Sequence, residues 1–105
     1  MTYSSIKKKG ESIYHYMQGM TENDVLSIIY GDKEYEIFCY HYKGLDSKDW
    51  SIYEKDRYWS GMNIDRNGKK PTSMIAYTYD MMGQRTTYKF KIKDIEFVGL
   101  KSKKK

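Results

Sequence analysis

Alternation of apolar and polar positions is strongest between Ser73 and Ile92. Ser-Met-Ile-Ala-Tyr-Thr-Tyr-Asp, then Met-Met-Gly-Gln, then Arg-Thr-Thr-Tyr-Lys-Phe-Lys-Ile make two period-two runs around a glycine-containing loop, the signature of a β-hairpin. With Met81 to Gln84 as the loop, Asp80 faces Arg85, Tyr79 faces Thr86, Tyr77 faces Tyr88 and Ile75 faces Phe90. That register predicts an apolar face of Ile75, Tyr77, Tyr79, Tyr88, Phe90 and Ile92. Its other face carries Met74, Ala76 and Thr78 with Lys89, Lys91 and Lys93.

Earlier in the chain, Ile13, His15 and Met17 alternate with Tyr14 and Tyr16, which predicts a strand over 12–18. Thr21-Glu-Asn-Asp24 has the spacing of a capping box and would start a helix running to Gly31. The competing hairpin, Val25 to Tyr30 and Glu34 to Tyr42 about a Gly31-Asp32 turn, is preferred because Ile28, Ile29 and Tyr30 favour strands. A two-residue and a four-residue loop both match apolar to apolar there. The strand from Glu34 is apolar or aromatic on both faces and is the candidate for a central position. Residues 43–49 read as a loop, and Trp50 to Tyr53 fits either a short strand or a helix start capped by Ser47. Tyr58 to Arg66 leads into Asn67-Gly68, a two-residue hairpin signal that would set Asp65 opposite Lys70 and Pro71 near Ile64. Asp94 to Leu100 reads as a bent last strand. The fold class expected is mainly β. Six or seven strands in antiparallel meanders form a strongly curved sheet or small barrel, with room for one short helix over one end.

With 105 residues the chain suits one domain, here 11–100, between a basic N-terminal arm (1–10) and a lysine tail (101–105). Val, Ile, Leu and Phe are sparse, but 12 Tyr, 2 Trp and 7 Met supply the apolar area a core needs. The net charge of +5 conceals a division: residues 10–65 hold 5 basic and 11 acidic groups, whereas 66–93 hold 7 basic groups and Asp80 alone. Such a dipole argues for a partner with a patterned surface rather than for uniform coating of nucleic acid. No apolar run is long enough to span a bilayer, no apolar leader is evident, and the single Cys39 allows no internal disulfide, so a reducing, cytoplasmic setting is expected.

Catalytic and metal motifs are not found. Cys39 and His41 share a strand face but offer at most two ligands, and side chains two apart on a strand point in parallel, a poor geometry for a nucleophile and its base. Phosphate loops, nucleophile elbows and calcium loops are absent, and the 14 acids select no catalytic pair. The chain is therefore expected to be no enzyme and to need no cofactor. What remains is surface. Arg85, Lys89, Lys91 and Lys93 stand on one side of one strand at about 7 Å repeats, with Lys69 and Lys70 on the strand before it, a spacing close to that of phosphates along a nucleic-acid strand. Lysines on an outer strand also deter edge-to-edge aggregation with no ligand at all. Candidate aromatic contacts are Tyr40, Tyr42, Trp50, Tyr53, Tyr58 and Trp59.

The sequence does not fix a function, and three readings stand. One is a nucleic-acid-binding module, with lysines on phosphates and aromatics stacking on bases. Another is a protein-binding inhibitor of a nucleic-acid-processing enzyme, in the anti-defence style of a phage or mobile element, which the Lys-, Ile-, Tyr-, Asn- and Asp-rich composition suits. The last is a binder of a small nucleotide signal.

Overall fold

The alternating runs become strands. The computed structural model describes residues 3–5, 13–42, 47–65 and 73–102. In chain order these form β1 (Tyr3–Ser5), α1 (Ile13–Gln18), β2 (Asp24–Tyr30), β3 (Lys33–His41), β4 (Lys48–Glu54), β5 (Arg57–Ile64), β6 (Ser73–Tyr79), β7 (Arg85–Lys91), a 3-10 turn (Ile92–Asp94) and β8 (Glu96–Ser102). All strands join one antiparallel sheet in the order β1-β8-β2-β3-β4-β5-β6-β7. Strands β2 to β7 make a meander, and β8 crosses back to pair with β2 instead of its predecessor. The mainly-β expectation holds, in its curved-sheet form: β1 and β7 are edges, so the sheet is not a closed barrel. Curvature nonetheless brings Phe90 of edge strand β7 against Tyr30 of β2 (centroids 5.0 Å) and Tyr35 of β3 (5.4 Å).

The concave face holds the core. Leu26, Ile37, Ile52 and Met62 form one cross-strand row, and Ile28, Trp50, Ile64, Met74, Ala76 and Phe90 complete the lining. Helix α1 fills one end of this trough through Ile13 and Met17, with Met20 just beyond it, all at most 2% exposed. The expected strand over 12–18 is thus a helix. Ile13 and Met17 are four apart, a spacing that satisfies both periods, and burial of that pair selects the helical one. Six residues make a marginal helix alone. Its last carbonyls are held from outside: the Trp50 indole N–H donates to Met17 O (3.0 Å), and Lys48 Nζ donates to Gln18 O and Met20 O.

Local chemistry explains the other outcomes. Residues 21–24 do make capping-box contacts, Thr21 N donating to Asp24 Oδ2 (2.8 Å) and Asn23 N to Thr21 Oγ1 (3.2 Å), but they close a turn that opens into β2. The preferred hairpin therefore holds. Its loop is the two-residue one, Gly31 and Asp32 at φ 58° and 65° between Tyr30 and Lys33, as a type I′ turn requires. Trp50 to Tyr53 lies in strand β4, and β3 is central.

Two registers differ from expectation. In the β6–β7 hairpin Tyr79 pairs with Arg85, Tyr77 with Thr87, Ile75 with Lys89 and Met74 with Phe90, one residue away from the expected match. The cause lies in the loop. Asp80 N donates to Gln84 O, the Asp80 carboxylate accepts from Met82 N and Gln84 N, and Gly83 takes φ 82°, so Asp80 and Gln84 close a three-residue turn. In β5–β6, Ile64 pairs with Ala76 and Asp65 N donates to Ile75 O, so Ile64 does not pair at Pro71. Inward-facing Ile64, Met74 and Ala76 are all buried, which only this register achieves. Asn67-Gly68 and Pro71 lie outside the described residues, as do residues 6–10 of the arm and 103–105 of the tail.

Candidate functional site

One residue of slip inverts a face of the hairpin. Because Ile75, Tyr77 and Tyr79 pair with Lys89, Thr87 and Arg85, these tyrosines share the convex, outer face with Arg85, Lys89 and Lys91, and Met74, Ala76, Tyr88 and Phe90 take the concave one. The expected separation of a tyrosine side from a lysine side is thereby overturned. Sequence reasoning omitted Tyr77 and Tyr79 as contacts; Asp80 with Gly83 three residues on was the signal for the shorter loop.

Within this face the groups are ordered. Arg85 Nη2 donates to Asp65 Oδ2 at 3.0 Å, a contact that pushes the guanidinium pKa further up and fixes the side chain. The guanidinium carbon sits 4.2 Å from the Tyr77 ring centroid, a cation–π stack, and Tyr77 meets Tyr79 edge-on at 5.7 Å. Tyr79 is 56% exposed. Lys89 and Lys91 are exposed two positions apart on β7, about 7 Å along the strand. Arg85, Lys89 and Lys91 thus share one side of one strand as expected. Lys93 does not join them: it lies in the 3-10 turn that ends β7, where strand alternation stops. Lys69 and Lys70 lie outside the described residues. Since β7 is an edge, Lys89 and Lys91 also guard it against strand addition.

A second aromatic strip runs over the outer face of β3 to β5. Phe38 meets Tyr53 edge-on (5.4 Å), Tyr53 approaches Tyr58 (6.0 Å), and Tyr40 meets Tyr42 edge-on (4.8 Å). Phe38, Ser51, Tyr53 and Tyr58 line a shallow groove there. Its acids are engaged. Glu36 faces Lys101 Nζ at 3.7 Å and accepts from the Tyr58 hydroxyl, and Asp49 accepts from the Tyr42 hydroxyl. The strip depends on a bulge: four residues, Tyr58 to Gly61, stand against Tyr53 alone, and the Tyr53 ring lies so close over Gly61 that a Cβ there would be 2.4 Å from it. Burial also divides the two tryptophans. Trp50, an expected contact, is 5% exposed and bonded to α1, so it is a core residue, whereas Trp59 on the bulge is 80% exposed with Arg57 over its ring at 5.8 Å.

Cys39 is buried with its thiol 3.8 Å from Met20 O, and burial pushes its pKa up, which makes it a poor nucleophile; His41 on the same face is exposed. Among the described residues no three His, Cys, Asp or Glu gather where a metal could be held, and no helix is long and apolar enough to cross a membrane. In comparisons with known proteins, no family model, no curated protein and no solved structure matches the chain.

Proposed function

We propose that the protein is a non-catalytic binding protein that holds single-stranded nucleic acid on the outer face of the β6–β7 hairpin. The observation that carries this reading is the sharing of one sheet face by Tyr77, Tyr79, Arg85, Lys89 and Lys91. A sheet that offers aromatic rings beside cations is a stacking platform with phosphate contacts at its border. Tyr79 stacks on a base, Tyr77 with its guanidinium lid extends the platform, and Lys89 and Lys91 meet successive phosphates. Arg85, already neutralised by Asp65, orders the rings and adds little net charge. A reducing, cytoplasmic setting goes with a single thiol that has no partner cysteine.

Anisotropy titrations of short labelled single- and double-stranded DNA and RNA, at low and physiological salt, test this. Wild type should prefer single strands, and Lys89→Ala with Lys91→Ala should lower the slope of log affinity against log salt by about 1.4, roughly 0.7 per lysine on a single strand. Absence of binding at low salt overturns the reading. The groove of Phe38, Tyr53 and Tyr58 beside Glu36 would then favour the second one, a protein-binding inhibitor of a nucleic-acid-processing enzyme docked through β3 to β5. Its test is enzyme inhibition that Tyr58→Ala abolishes and Lys89→Ala leaves intact.

A further inference from the structure

The trough is closed at one end by α1 and open at the other, beside the β2–β3 and β4–β5 turns. The opening has a structural cause. β5 pairs with β6 only at Asn63–Tyr77 and Ile64–Ala76, so the two strands run apart beyond that point, and the bulge turns Trp59 into the gap. The result is a cleft of about 430 Å³, within the range of small-ligand sites. Its lining includes Tyr35, Trp59, Tyr88 and Phe90, with Lys33 and Glu54 among its polar groups. Phe90 is 4% exposed and wedged between Tyr30 and Tyr35, so that part of the lining is rigid before any ligand arrives. Trp59 and Tyr88, by contrast, leave large rings in solvent, which the fold itself does not require.

We infer that this cleft is a binding site for a nucleobase-like ligand, a planar heterocycle with a hydrogen-bond acceptor beside donors on one edge, as in guanine. Trp59 and Tyr88 supply faces for the ring. Lys33 Nζ and Glu54 Oε1 are 3.9 Å apart, a donor next to an acceptor that complements such an edge. The Tyr35 hydroxyl has no hydrogen-bond partner among the described residues, and burial followed by the Glu54 charge pushes its pKa up, so it stays protonated and able to donate. This site does not depend on the hairpin platform: Tyr88 and Phe90 lie on the opposite side of β7 from Lys89 and Lys91.

The test is an amide NMR titration of the whole chain with guanosine, adenosine and benzyl alcohol. Guanosine should shift the amides of residues 33–35, 59–62 and 88–90 saturably, with a dissociation constant on the order of 0.1 mM for a ligand of that size at ordinary efficiency. Tyr88→Ala and Glu54→Gln should each weaken it about tenfold or more. Among the described residues Glu54, half-buried, pairs with the exposed Lys33 and Arg57, and Gln keeps its shape there, so the variant keeps the fold, as an otherwise unchanged spectrum would verify. No saturable shift overturns the proposal. So does an unchanged affinity in Glu54→Gln, or benzyl alcohol moving the same amides as strongly as guanosine, since the cleft would then accept any apolar ring. Adenosine weaker than guanosine supports the edge assignment, and adenosine tighter overturns it.

Discussion

The outer face of this sheet carries two aromatic strips that differ in what surrounds the rings. Over β3 to β5 the rings pack on one another and on Gly61, and the acids beside them are already answered by Lys101 and by tyrosine hydroxyls. Over β6 and β7 the one fixed cation among the described residues is Arg85, tied to Asp65, while Lys89, Lys91 and much of Tyr79 face water. Both strips belong to one continuous surface, since Phe38, Ser51, Asn63, Tyr77 and Thr87 form a single cross-strand row. An aromatic side chain on a sheet therefore says little by itself. On the function proposed above, rings whose neighbours are satisfied hold the sheet together, and Tyr79, near the uncommitted Lys89 and Lys91, serves the ligand.

The largest expected effect lies in the first strip. Glu36 and Lys101 both have side chains nearly withdrawn from water, at 9% and 12% exposure. Lys101→Met removes the cation and leaves the carboxylate buried, which should cost about 3 kcal/mol in urea unfolding, and a further Glu36→Leu should recover most of it. Gly61→Ala comes next. The new methyl displaces the Tyr53 ring, and overpacking of this kind costs about 2 kcal/mol. Tyr53→Ala in the same chain should reduce that penalty, because the two positions share one contact. Neither change should alter nucleic-acid affinity. If either does, the strips are not separate.

The second strip should respond in the opposite way. Tyr79→Ala should leave the unfolding midpoint near its wild-type value and weaken single-strand binding by about 1–3 kcal/mol, the usual worth of one stacked base. Tyr40, at 59% exposure, is the control of equal accessibility on the other strip. Equal losses from Tyr40→Ala and Tyr79→Ala in the same anisotropy assay would dissolve the distinction.

Much of this scaffold was legible in the chain, and the exceptions have identifiable causes. The β2–β3 hairpin could be read because Gly31-Asp32 suits positive φ at both turn positions and the flanking runs favour strands. The β6–β7 hairpin could be read as a hairpin but not in register, because the Asp80 carboxylate bonds two loop amides and shortens the turn by one residue. That single residue hid the placement of Tyr77 and Tyr79 on the lysine face, whereas the row of Arg85, Lys89 and Lys91 could be read, since it depends only on period two within one strand. Helix α1 was misread because Ile13 and Met17 fit either period. Nothing local could pair β8 with β2, a contact between segments some seventy residues apart. Trp50 and Trp59 have similarly polar neighbours in sequence, and only the bulge at Tyr58 to Gly61 sends one into water.

The smallest effect concerns Tyr58, the ring that ends the first strip. Its hydroxyl donates to Glu36 Oε1 at 3.4 Å, and the carboxylate charge raises its pKa above the ordinary 10.0 by disfavouring a second negative charge nearby. Because the folded pKa exceeds the unfolded one, any stabilisation from this contact is fully present below about pH 10 and disappears as pH rises through the folded value. Tyr58→Phe should therefore lose a little stability at neutral pH, and the gap to wild type should close in alkaline solution. An ultraviolet titration of the phenols should show one late-ionising tyrosine fewer in the variant. If the gap stays constant with pH, the hydroxyl does not answer Glu36, Lys101 alone holds that carboxylate, and Tyr58 joins the rings left available for a partner.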